Sequence, residues 1–383
     1  MVKYYIKAER YLMENEEKQG GYLLVSNGLF GGFSETVPLG SDVIDWSGHI
    51  IAPGLFDTHI HGIKGYDIMD GTAEAVYEIS KAILQLGVTR FLPTTLTSSK
   101  TDLNQAIVAI TEAVRQGLAG AQSEGIFLEG PYFSEQHKGA QNSIYFRNPD
   151  YEEFQELKRL SEGTIVKIAL APERENTFEF INNVSKDGVF VCIAHTDASH
   201  DCCNRAINAG AQNFVHLFNG MSGLHHRDPG VVGAALTNPN TFAELICDGF
   251  HVHPDIATLA LRVKGDKLVL ITDCMRAGLM PDGEYQLGEF TVVMKDGMAR
   301  TETGSLAGST LKLIDGVKNL KSWSSEPLYK IWHSASLSPA ASIGKDMEFG
   351  SISSGKIADY VVLNEKLDVL ATAVDGVVKY RRG

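Results

Sequence analysis

The sequence predicts an α/β protein: a closed (β/α)8, TIM-like barrel with a small β-sandwich formed by both termini. Three observations predict it. Eight short, continuous apolar runs recur through the middle of the chain. Helix-period patterns separate most of them. Both ends instead carry short β patterns broken by glycine turns. Strand–helix alternation argues for parallel pairing, and eight such strands over about 250 residues are what a closed barrel needs. An open doubly wound sheet is the alternative, since a strand count alone does not distinguish the two.

In chain order, residues 1–50 hold YYIKAERYL, GGYLLVSNGLFGGF and DVIDWSG, each too short for a stable sheet of its own. The apolar runs follow: GHIIAPGLFDTH (48–59), VTRFLPTT (88–95), GIFLEGP (125–131), TIVKIALAP (164–172), VFVCIAHT (189–196), NFVHLFN (213–219), AELICDG (243–249) and KLVLITD (267–273). Their continuity and β-branched content fit strands covered on both faces. In 72–87, Ala75, Ile79, Ile83 and Leu86 share one helical face; in 101–117, Leu103, Ile107, Ile110 and Val114 do the same. Gly87 and Gly117 stand where helix stops are expected. Residues 254–264 and 309–322 also read as helices. Residues 349–383 return to β patterns, FGSISSGKIADYVVLNE and VLATAVDGVVKYRRG. The economical arrangement pairs the two ends, giving a sandwich from 1–52 plus 344–383 and a barrel from 53–343.

Composition limits the function. The chain has 383 residues, 44% hydrophobic and 21% charged, which is ordinary for a globular protein. A net charge of −13 disfavours nucleic acid, whose binding is driven by cations neutralising phosphates. An anionic substrate therefore needs a local positive group. The five cysteines form no CxxC pair, so neither a disulfide framework nor a thiolate metal site is expected. The opening MVKYYIKAERYLMENEEKQ lacks the apolar core of a signal peptide, and no run of about 18 apolar residues occurs. A cytoplasmic protein with no membrane partner is expected.

The polar outliers fall on the strand ends. His59 and His61 close strand one, two residues apart, so on an extended chain both side chains point the same way. Glu129 ends strand three, His195 strand five, His216 strand six and Asp273 strand eight. Barrel enzymes carry their catalytic groups at that face. Imidazole and carboxylate donors suit zinc, iron, manganese, cobalt or nickel. A divalent metal lowers the pKa of bound water and polarises a carbonyl. Asp273 is placed to move the water's proton. Glu129 can bridge two ions, one with His59 and His61, the other with His195 and His216.

The strings APGLFDTHIHG, LEGPYFS, AHTDAS, HLFNGMSGLHHRDPG, DGFHVHP and LITDCMRAGLMPDGEY occur in that order. Together they resemble the N-acetylglucosamine-6-phosphate deacetylases of the amidohydrolase superfamily. GKIADYVVL near the C-terminus is similar to the superfamily's small β domain. The resemblance covers about residues 45 to 365 and implies hydrolysis of the acetamide of N-acetylglucosamine 6-phosphate. It implies Glu129, His195 and His216 as ligands of the main metal and Asp273 as general base and then acid. It implies His251 near the reacting carbonyl, and Asn219 and Gly220 at the phosphate end. Arg227 matches a phosphate-binding arginine that the family supplies across a homodimer interface. Ala140, Gln141, Asp248, Leu306, Ala307 and Gly308 match further substrate-site positions. Some members replace both residues of the HxH pair and hold one metal, so His59 and His61 bear on whether one or two ions bind. Some carry histidine where this chain has Gln141, which can still donate and accept hydrogen bonds.

Other residues have plainer readings. His225 and His226 read as surface histidines, His253 as helix entry, Cys274 as packing, and Asp57 and Thr58 as shaping a strand end. No GxxxxGK[ST] loop or strand-linked GxGxxG supports a nucleotide. The competing functions are the epimeric N-acetylgalactosamine 6-phosphate deacetylation, a cyclic amidohydrolase and a non-catalytic scaffold. The cyclic enzymes usually need a lysine ending strand four, whereas Lys167 lies near that strand's start. Scaffolds typically lose ligands that are intact here.

Overall fold

The structure is a computed structural model describing residues 3–302 and 304–383. Eight parallel strands form the barrel: β1 (Leu55–Ile60), β2 (Val88–Thr95), β3 (Ile126–Tyr132), β4 (Ile165–Leu170), β5 (Phe190–Ile193), β6 (Ala211–Phe214), β7 (Phe242–Ile246) and β8 (Leu268–Ile271). Each pairs with the next in sequence. A parallel bridge between Ile60 and Cys274 closes the ring, with Asp273 N–H donating to His59 O at 2.9 Å. Every residue of β2 and β3 is buried, which explains why these strands read as continuous apolar runs rather than alternating ones.

Helices cross between the strands. In α1 (Ala73–Leu84) the Thr72 hydroxyl caps Ala75 N–H, and Val76, Ile79 and Ile83 are buried. In α2 (Lys100–Gln116) Ser99 caps Asp102 N–H, and the chain leaves through Gly117 at φ 90°, a left-handed conformation glycine adopts without a Cβ clash. The helix expected from 309 begins at Leu313. Ser309 is withheld from it because its N–H donates to Asp273 O and its carbonyl accepts from Met275 N–H.

The first apolar run divides. Val43–Pro53 belongs to a separate eight-stranded sheet, and β1 begins after Gly54. A Cβ on Gly54 would collide with the Thr89 side chain, so the chain changes sheets at a residue without one. In that separate sheet Val43–Pro53 pairs antiparallel with Tyr360–Leu363, joining the two ends of the chain. The sheet curls until Leu29 bridges Ile357, enclosing Ile6, Tyr11, Val25, Phe30, Tyr360 and Val362. Arg90 of β2 fastens it to the barrel through Asp359 (2.6 Å) and Asp375 (3.0 Å), and is itself held by Glu124 of the segment leading into β3.

Beyond β8 stands a three-stranded antiparallel sheet, Gly283–Leu287, Phe290–Lys295 and Met298–Thr301, in a stretch where the sequence pattern marks no element. Among the described residues, no helix is long and apolar enough to cross a membrane. All five cysteines are unpaired.

Candidate metal centre

The barrel gathers the six strand-end residues into one cluster. His59 and Glu129 lie within β1 and β3, while His195, His216 and Asp273 each follow their strand by two residues. Those three take left-handed backbone angles, φ 44°, 32° and 53°. For a residue with a Cβ, such conformations cost on the order of 1–3 kcal/mol each and persist only where surrounding structure imposes them. Gly220 leaves room for His195, since a Cβ there would lie 2.8 Å from its Nδ1.

Each of the four histidines has its Nδ1 engaged away from the cluster. His61 Nδ1 is 3.1 Å from Thr94 O, His195 Nδ1 2.9 Å from His137 O, and His216 Nδ1 3.0 Å from Asn219 O. His59 Nδ1 is 3.2 Å from the Glu244 carboxylate. These partners only accept, so Nδ1 keeps the proton when a ring is neutral, and Nε2 is then the atom that presents a lone pair to a metal. Two groups of donor atoms each lie within 4.8 Å of one another: His59, His61 and Glu129; and Glu129, His195 and His216. Glu129 is common to both. This donor set fits one or two divalent cations of the zinc, iron, manganese, cobalt or nickel class.

The electrostatics agree. Burial works against ionising Glu129, yet His59, with hydrogen bonds from His195 and His216, holds it well below the carboxylate range. Burial likewise opposes ionisation of Asp273, and the charges of His59 and His61 overcome it. Burial should depress His59, but Glu129 and Asp273 raise it to about 9. Two buried anions thus demand positive charge at the centre, supplied by protons or by a metal ion.

Asp273 Oδ1 lies 3.4 Å from His59 Nε2 and 3.2 Å from His61 Nε2. It faces a cavity of about 280 Å³ whose walls include Ala140, Gln141, Asn219, Gly220, His251, Leu306 and Gly308. His251 Nδ1 is held by Asp248 Oδ2 at 2.6 Å, leaving its Nε2 for the cavity. Asp248 thus acts behind the wall rather than in it. Ala307 is fully buried and also lies behind the wall. Gln141 lines the cavity but spends its amide on the cluster, donating to Glu129 Oε2 at 2.6 Å and accepting from Thr97 N–H. Arg227 stands apart on the exposed loop 223–228, beside His225 and His226. His253 caps the helix Pro254–Lys264, and Cys274 is buried packing.

Residues 50–379 match the amidohydrolase family. The chain belongs to this family. An N-acetylglucosamine-6-phosphate deacetylase of Vibrio furnissii is 41% identical over 90% of this chain and 84% of its own. An N-acetylgalactosamine-6-phosphate deacetylase of Escherichia coli O157:H7 is 37% identical over 97% and 98%. Among solved structures, the N-acetylglucosamine-6-phosphate deacetylase of Pasteurella multocida superposes with a TM-score of 0.94 at 30% identity, covering 100% of both chains. A mutant of the Mycobacterium smegmatis enzyme, in complex with N-acetyl-D-glucosamine-6-phosphate, gives 0.93 at 28% identity over 99% and 100%.

Within this amidohydrolase, sequence patterns missed the supports of the centre. Glu244, on β7, reads as one more residue of a buried strand, and Lys167 reads as a strand start. Both face the barrel interior and pair there. Lys167 therefore does not stand at the rim, where a cyclic amidohydrolase would need it. Asp57 accepts from Thr272 Oγ1 at 2.6 Å and, fully buried, is pushed up to about 6. It shapes the β1–β8 seam, in line with its plainer reading.

Proposed function

We propose that the protein hydrolyses the acetamide of N-acetylglucosamine 6-phosphate to glucosamine 6-phosphate and acetate. One observation carries the reading: Asp273 and His251 face a single cavity whose floor is the Glu129–His195–His216 group. The likeness to deacetylases along nearly the whole chain names the substrate. A divalent cation held by Glu129, His195 and His216 would supply an acidified water and polarise the acetamide carbonyl. Asp273 takes the proton of the attacking water and passes it to the departing amine nitrogen. Asp248 fixes the His251 ring so that Nε2 meets the reacting acetamide. Asn219 and Gly220 line the end of the cavity that receives the sugar phosphate.

Among the described residues lining the cavity, none is lysine or arginine. A dianionic phosphate needs a cation, and this supports a homodimer in which Arg227 reaches the neighbouring copy's cavity. A cytoplasmic location accords with a phosphorylated intracellular substrate. A second reading, the galactosamine epimer, is favoured by the near-complete coverage of the Escherichia coli relative. Turnover of both N-acetylhexosamine 6-phosphates, with metal quantified per chain, separates the two. Faster turnover of the galacto epimer would reverse the assignment. Equal turnover of unphosphorylated N-acetylglucosamine would remove the phosphate from it.

A further inference from the structure

Beneath the rim, inside the barrel, lies a charge pair that the hydrolytic reading does not use. Lys167 and Glu244 are closed to solvent, at 0% and 2% exposure. Lys167 Nζ contacts Glu244 Oε1, and Thr58 Oγ1 lies 3.4 Å from the same oxygen. The other oxygen, Oε2, is 3.2 Å from His59 Nδ1. Lys167 Nζ also sits 4.1 Å from the centre of the Phe127 ring, against which His59 packs edge-on. Desolvation offsets much of a buried pair's attraction, and apolar replacements often stabilise equally well. Stability alone does not account for this pair. The division of Glu244's two oxygens, one for lysine and one for histidine, points elsewhere.

We propose that Lys167 and Glu244 are positioning residues for His59. They fix its proton on Nδ1 and so keep the Nε2 lone pair for a second cation held by His59, His61 and Glu129. The inference rests on the metal-centre reading given above. A neutral imidazole offers a lone pair at one nitrogen only. An ionised Glu244 can only accept, so His59 Nδ1 must donate. Lys167, by occupying Oε1, holds the carboxylate with Oε2 towards the ring. The other three histidines are fixed by backbone carbonyls, which no side-chain change removes. His59 alone depends on two side chains, so the capacity for a second ion is set from the barrel interior.

The test is zinc titration of the chelator-stripped full chain, read as ions per chain and as the affinity of the second equivalent, without turnover. The wild type is expected to take two ions. In Glu244→Gln, Lys167 claims the amide oxygen and the NH2 group turns to His59. Nδ1 must then accept, the proton moves to Nε2, and the second zinc weakens by about 10–100-fold. In Lys167→Met/Glu244→Gln the amide is free to turn its oxygen to His59, and second-site affinity returns to near the wild-type value. In Lys167→Met/Glu244→Leu no acceptor is left to hold the proton on Nδ1, and the second zinc stays weakened as in the single variant. Neither double variant holds an unpaired buried charge, so that comparison stands even if Glu244→Gln fails to fold, which thermal unfolding without metal detects. The proposal is overturned if the two double variants bind the second zinc alike, or if the wild type binds one ion only. A wild type that takes no divalent ion at Glu129, His195 and His216 would instead bring down the metal-centre reading itself.

Discussion

At the residue scale, protons and a divalent cation compete for the same atoms. In the metal-free chain His59 is raised from 6.5 to about 9. A raised folded-state pKa contributes stability that is whole below pH 6.5 and is lost as pH climbs through about 9. His61, also raised, acts in the same direction. With metal bound, the imidazoles are neutral ligands and this source of decline disappears. The expected result is a melting temperature that falls between about pH 7 and about pH 9 in chelator, and falls less in the metal-loaded protein. Asp273 separates chemistry from binding. Asp273→Asn keeps the volume and removes the proton acceptor, so acetate release should drop by at least about 10²-fold while metal per chain persists at Glu129, His195 and His216. Full activity in that variant would end the proposed role. The primary donors were legible in the sequence because histidine, glutamate and aspartate are conspicuous at the ends of apolar runs. Glu244 and Lys167 were not, because a polar residue inside a strand shows its partner only once the barrel closes.

At the element scale, the centre depends on a loop and a small sheet that carry no metal donor. The loop between β3 and Tyr151–Leu160 supplies His137 O to His195 and the Gln141 amide to Glu129. Glu289, in the turn between Gly283–Leu287 and Phe290–Lys295, grips the same loop, accepting from Asn142 Nδ2 at 2.6 Å and Tyr145 O–H at 2.8 Å. Removing both bonds in Glu289→Ala should lower the local opening free energy of residues 135–146 by about 1 kcal/mol or more. Amide exchange across the loop measures this, and unchanged protection would show that the clamp does not hold it. The expected functional consequence is lower kcat with global melting little altered. The eight strands were legible because burial on both faces makes them continuous apolar runs. The three-stranded sheet was not, because its strands are short and half exposed: in Gly283–Leu287, Glu284 and Gln286 face solvent and only Leu287 is buried. The left-handed turns at His195, His216 and Asp273 were not legible either. Histidine and aspartate there give no glycine-like signal of positive φ.

At the scale of the whole molecule, the question is how a chain of charge −13 binds a phosphate in a cavity whose described lining has no lysine or arginine. Arg227 is exposed, on a loop following β6 at the barrel mouth. Leu224 on that loop is 59% exposed, and Phe250, after β7 at the same mouth, is 50% exposed. Large apolar side chains exposed at one face mark a surface that gains from being covered. A two-fold contact there would cover them and carry each Arg227 towards the other copy, because a two-fold interface makes every contact reciprocal. Arg227→Ala should then mainly raise KM for the phosphorylated sugar, with kcat less affected, since a charge-assisted phosphate contact is lost. Complementation tests the geometry itself. Arg227→Ala chains keep Asp273, and Asp273→Asn chains keep Arg227. If the arginine acts across the interface, reassorted dimers of the two regain one complete site in each mixed pair. At equal mixing that restores about a quarter of all sites. If Arg227 acts within its own chain, each site of a mixed dimer lacks one of the two groups, and mixing restores nothing.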